Sequence, residues 1–127
     1  MSQKIADGVY YIEAVGHTKG NSIVIVEDGD LNYLIHGDVT YSDEALYQNK
    51  LSVVFEDKEA ARDTLNQVRE FIKNNPTVYV STHTPLGYEN LENKKIVDLI
   101  KHKDLKNFLR LRAIFFCKNL TIFLHSN

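Results

Sequence analysis

His17, Asp38 and His83 each end an apolar, strand-like run, VYYIEAVGH, LNYLIHGD and TVYVSTH. Ends of strands gather on one rim of a sheet, so two imidazoles and a carboxylate far apart in sequence can converge on one place. That is donor chemistry for a hydrolytic metal. Zinc, iron or manganese in such a site takes neutral imidazole nitrogens and carboxylate oxygens and keeps an open position where a bound water becomes hydroxide near neutral pH. Asp38 follows Gly37, which lets the backbone turn sharply and aim the carboxylate across the rim, where one carboxylate can bridge two metals. Each residue also has a plainer reading: Asp38 as a turn aspartate, His17 and His83 as satisfied structural histidines. It is the threefold coincidence at strand ends that favours a site. His36 is either a partner behind the metal ligands or structural, and His102 and His125 have no ligand spacing.

The elements that must position these residues read as α/β. Val9 to Val15, Ser22 to Val26 and Leu31 to Ile35 are rich in β-branched and aromatic residues and are separated by the turn segments HTKGN and EDGD, which predicts a three-strand antiparallel meander. From Asp57 the period changes, with Ala61, Leu65, Val68 and Ile72 at helical spacing and charged residues opposite. Asp57 is placed to cap the first free N–H groups, and Pro76 ends the helix and biases Asn75 to an extended conformation. A buried strand over Thr77 to Ser81 follows. Asn90 to Ile100 is expected to be a second helix, with Leu91, Ile96, Val97 and Ile100 as its apolar positions, so that helices cover one face of the sheet.

Composition narrows the class of protein. A chain of 127 residues with 43% apolar content suits one modest core. The net charge of −2 supplies no field to attract phosphate backbones, which argues against nucleic acid as a partner. No segment reaches the roughly 18 apolar residues of a membrane span and the start lacks a signal-peptide run, so a cytoplasmic location is expected. Cys117 is the single cysteine, which excludes an internal disulfide and a thiolate cluster and leaves His and carboxylate to hold any metal. The stretch 105–127 has no acidic residue, four basic ones and two apolar clusters, AIFFC and LTIFL. Its periodicity is poor and leaves three readings: a helix and strand covering the sheet, a contact surface, or a carboxyl terminus without a selected fold.

GHTKGN, then HGD with Tyr41 three residues after Asp38, then STH at these separations resemble the carboxyl-terminal half of the metallo-β-lactamase superfamily, and its N-acyl homoserine lactonase branch in particular. The resemblance spans about residues 6 to 100, and the Asp-x-x-Tyr step points to the lactonase branch over the glyoxalase II branch. It implies half of an αββα sandwich (β-meander, helix, strand, helix) over residues 1–104, without the amino-terminal half, followed by the tail 105–127. It further implies a dinuclear centre, usually of zinc, in which His17 joins one metal, His83 joins the other and Asp38 bridges both. Tyr41 would hydrogen-bond the carbonyl or leaving oxygen of a lactone or ester substrate; otherwise it is a half-buried aromatic of the loop.

The signature HxHxDH of the family, which supplies four further ligands, is absent from these 127 residues. One imidazole and a share of one carboxylate per metal is fewer than the three protein ligands a catalytic zinc normally has. The expectation is therefore a metal-dependent, lactonase-like hydrolase, truncated and inactive alone, that is completed by a missing half or associates as a homodimer. A non-catalytic remnant or interaction module is the alternative, and a glyoxalase II-like thioester hydrolase a further one.

Overall fold

Five strands and three helices follow in the order β1 (Ser2–Ala6), β2 (Val9–Glu13), β3 (Ser22–Asp28), β4 (Leu31–Ile35), α1 (Asp43–Gln48), α2 (Lys58–Asn74), β5 (Thr77–Val80) and α3 (Pro85–Glu92). They are seen in a computed structural model that describes residues 2–100. The strands make one sheet in sequence order; β1 to β4 are antiparallel, and β5 pairs parallel to β4. The parallel pair needs a long crossover, which α1 and α2 supply. Residues up to Val97 form one compact unit. The tail 105–127, with Cys117 and His125, and also His102, lie outside the described residues.

Alternation along the strands sorts the side chains. Ile25 pairs with Tyr10 and Leu34, and Leu34 with Tyr79, so these four form one cross-strand row, with Ile12 and Ile23 beside them on the same face. Ile23, Ile25, Leu34 and Tyr79 are buried. Helix α2 lies against this face: its apolar stripe Leu65, Val68 and Ile72 is buried, and Val68 and Phe71 share a cavity of about 180 Å³ with Ile12, Ile23, Ile25 and Leu34. Each such side chain removed from water contributes roughly 1.5–3 kcal/mol. The ends of α2 are those expected: Asp57 accepts from Ala60 N–H at 3.0 Å, and the chain leaves the helix at Asn75 in an extended conformation.

Three elements differ from the sequence expectation. The meander has four strands, because Ser2–Ala6 pairs with β2 through an Asp7-Gly8 hairpin. This edge strand is exposed throughout and carries Lys4, a residue that discourages edge-to-edge association. The short helix α1 has no counterpart in the sequence expectation; Ser42 caps it by accepting from Ala45 N–H at 3.2 Å. The expected helix over Asn90 to Ile100 is displaced: α3 starts at Pro85, suited to a first helical turn, and has ended by Lys94, whose φ of 47° is left-handed. Leu91, Ile96 and Ile100 are exposed, and of the four apolar positions only Val97 is buried. The segment covers the outer edge of β5 instead, with Val97 N–H donating to the Thr77 carbonyl at 2.9 Å and a bridge between Val78 and Ile96.

Candidate metal centre

The turn after β2 carries His17, the turn after β4 carries Asp38 and Tyr41, and the turn after β5 carries His83. The rim brings all four together. His83 Nε2 is in direct contact with Asp38 Oδ1, and His17 Nε2 stands 3.6 Å from Asp38 Oδ2. Each oxygen of the one carboxylate thus faces a different imidazole. Tyr41 lies beside both rings, its centroid 4.3 Å from that of His83 and 6.0 Å from that of His17.

Two glycines make this approach sterically feasible. Gly16 has φ 135°, and a Cβ there would stand 2.3 Å from the backbone of Ala61, so only glycine lets the His17 turn pack against the first turn of α2. Gly37 has φ 51°, and a Cβ there would approach Asn21 Oδ1 to 3.0 Å. That approach is used: Asn21 Oδ1 accepts from Asp38 N–H at 3.3 Å, while Asn21 Nδ2 donates to the Ala14 carbonyl at 2.8 Å. Asn21 therefore ties the end of β2 to the end of β4.

The loop before α2 completes the fixing. His17 Nδ1 lies 2.9 Å from the Val54 carbonyl oxygen. A carbonyl only accepts, so Nδ1 carries the proton and, in the neutral ring, Nε2 presents its lone pair towards Asp38. This is the arrangement in which a histidine ligand is oriented through its second nitrogen. Ser52 Oγ donates towards the carbonyls of Asp38 and Val39 at 3.4 and 3.3 Å, and Glu56 N–H donates to the Gly16 carbonyl at 2.9 Å. Thr82 Oγ1 donates to the Gly37 carbonyl at 3.1 Å, joining the His83 turn to the Asp38 turn.

His36 is fully buried and stacks on Tyr79, with centroids 3.9 Å apart and planes 12° from parallel. Neither ring nitrogen has a hydrogen-bond partner among the side chains and backbone of the described residues, so the ring orients none of His17, Asp38 and His83. Burial pushes its pKa down to about 4, which keeps the ring neutral. Burial likewise holds the Tyr79 phenol protonated, far above its ordinary range; its hydroxyl pairs with Thr40 Oγ1 at 2.8 Å.

The donors suit zinc in kind and fall short in number. His17 and His83 address two separate oxygens and do not ring one point, and no group of three or more His, Cys, Asp or Glu among the described residues is arranged to hold one ion. The sequence alone did not reveal Asn21, Ser52, the Val54 carbonyl or Thr82. Asn21 had a signal, as the polar end of KGN between two strand ends, but a backbone carbonyl such as that of Val54 carries none.

The fold is that of part of the sandwich seen in solved N-acyl homoserine lactone hydrolases. Among solved structures, an N-acyl homoserine lactone hydrolase with the product N-hexanoyl-L-homoserine at its catalytic metal centre superposes with a TM-score of 0.61 at 18% identity, covering 70% of this chain and 36% of that one. An AiiA variant from B. thuringiensis with N-decanoyl-L-homoserine bound gives the same values. A quorum-quenching N-acyl homoserine lactone lactonase matches at 0.56 and 17% identity over 63% of this chain and 33% of its own. The chain thus spans about a third of the length of these lactonases. No protein-family model and no curated protein matches the sequence. No described helix is long and apolar enough to cross a membrane.

Proposed function

We propose that this chain is the part of a metal-dependent, lactonase-like hydrolase that supplies His17, His83 and the bridging Asp38, with Tyr41 placed to hydrogen-bond a lactone or ester substrate. The observation that supports this most is the division of one carboxylate between two imidazoles, each oxygen facing its own ring. A bridging ligand to two zinc ions needs that division; a single structural ion pair does not. When bound, the metals would supply a hydroxide nucleophile and stabilise charge developing on the substrate oxygen. The protein's own part is to fix the His17 tautomer through Val54, hold Asp38 through Asn21 and set Tyr41 beside both rings. The remaining ligands come from a companion half that carries HxHxDH, and alone the chain binds zinc weakly and turns over little. A cytoplasmic site of action accords with this reading.

Zinc content of the purified protein, and zinc titration of the apo form, test the proposal. Specific zinc that falls by about a hundredfold in affinity in Asp38→Ala, equivalent to roughly 2.8 kcal/mol, is the expected result. Zinc content unchanged by both Asp38→Ala and His17→Ala removes the hydrolase reading. The shortfall of donors then favours the second reading, a non-catalytic module that keeps the sheet. Supplying an amino-terminal half with HxHxDH, and assaying an acyl homoserine lactone beside a glutathione thioester, separates lactonase from thioester hydrolase.

A further inference from the structure

Beneath the exposed rim lies a polar group that the proposed chemistry does not use. Asp43 and Asn90 are buried, at 7% and 2% exposure. Asn90 Nδ2 donates to Asp43 Oδ2 at 2.7 Å and to the Tyr79 carbonyl at 3.1 Å. Asp43 opens α1, directly behind the loop of Asp38 and Tyr41. Asn90 lies on α3, which follows His83 with only Thr84 between. One buried hydrogen bond therefore links the element behind one half of the rim to the element behind the other.

As a source of stability the pair is poor. Asp43 Oδ1 and Asn90 Oδ1 are both buried without a partner among the described residues. A buried carboxylate with one donor retains much of its desolvation cost, and apolar side chains of like volume commonly serve stability as well or better. What apolar side chains lack is direction. A hydrogen bond sets distance and orientation between α1 and α3, where a greasy contact lets them slide. The other links between these regions constrain the two helices less. Thr82 to Gly37 lies on the exposed rim, where water competes, and Thr40 to Tyr79 does not reach α3.

We propose that Asp43 and Asn90 are positioning residues, whose buried hydrogen bond sets the Asp38–Tyr41 loop against the loop of His83 and thereby fixes Tyr41 against His83 and His83 against Asp38. The geometric part stands on these contacts; its consequence for metal binding rests on the hydrolase reading above.

The test uses the full chain. Asn90→Leu keeps the volume and removes both donations. Asp43→Asn keeps an acceptor for Asn90 Nδ2 and adds a donor that can serve the unpartnered Asn90 Oδ1. Nuclear Overhauser contacts between the Tyr41 and His83 rings read the geometry, thermal unfolding reads stability, and zinc titration reads the consequence. Asn90→Leu leaves the buried Asp43 carboxyl without its donor and is expected to lower the melting temperature while the protein remains folded, to lose the Tyr41–His83 contacts and to weaken zinc binding about tenfold, while Asp43→Asn retains both contacts and affinity. Intact Tyr41–His83 contacts in folded Asn90→Leu overturn the proposal, as does their equal loss in both variants. Asp43→Ala, which removes the acceptor on α1, carries the test with the same readouts if Asn90→Leu does not fold. Loss of the contacts in Asn90→Leu alone, with no zinc bound even by the parent, supports the positioning role and removes the hydrolase reading.

Discussion

His17 and His83 face the same carboxylate from opposite sides, but the protein holds them differently. The His17 side chain is 18% exposed, its second nitrogen is bonded to Val54, and its turn is locked to α2 at Gly16. The His83 side chain is 44% exposed, and no described residue accepts from its Nδ1; its place is set by Tyr41 and by the chain around it. One ring is preorganised with its tautomer fixed, and the other depends on how neighbouring elements sit. The two halves of the rim are therefore not equivalent, and a perturbation should reach one without the other.

The largest effect should come from locking the wrong residue into the His17 side. Gly16→Ala puts a Cβ into the backbone of Ala61 at a left-handed φ, and is expected to cost about 3 kcal/mol in urea unfolding. In whatever native protein remains, the His17–Val54 hydrogen bond should be lost and the Tyr41–His83 contact kept. Survival of both would mean that the two sides are not separately built.

Acid should act through the other side, because His36 stacks on Tyr79 in the strand that leads to His83. Folding lowers the His36 pKa from 6.5 to about 4 by burial, so between these values the unfolded chain binds a proton that the native ring refuses. Stability then rises with pH across that window and is lost as pH falls through it, by up to about 3 kcal/mol. Urea midpoints at pH 7 and pH 5 measure this. His36→Phe, which keeps a stacking ring without a titrating group, should flatten the slope; an unchanged slope would assign the acid sensitivity elsewhere.

The smallest effect sharpens the comparison most directly. If preorganisation counts, His17→Ala should weaken zinc binding about tenfold more than His83→Ala in the same titration. Equal losses would show that the Val54 bond does not distinguish the two rings.

What could be read from the sequence follows how each feature is encoded. The strands β2 to β4 and helix α2 were legible because each turns an apolar side to the core and the pattern repeats that side. The rim residues His17, Asp38 and His83 were legible because each ends such a run. Helix α3 was misplaced because Leu91, Ile96 and Ile100 imitate a helical stripe, whereas Pro85 as the first residue and Lys94 in a left-handed conformation set its actual limits. Strand β1 is exposed on both faces, so no alternation marks it, and helix α1 is too short for periodicity to show; only the turn signal Asp7-Gly8 and the cap Ser42 mark them. The links that align the rim are tertiary: the Val54 carbonyl and the Asp43–Asn90 bond depend on partners 37 and 47 positions away, which no local pattern reports.

The parallel pairing of β4 with β5 has a consequence for the order in which the molecule assembles. The hairpins of β1 to β4 close over short turns and can zip up as soon as they are made. Asp38 and His83 are 45 positions apart, so their meeting waits for the whole crossover to close, a step with a larger entropic cost and a slower approach. During synthesis the meander would then stand as an incomplete platform, and the rim would be finished last, from its more exposed side.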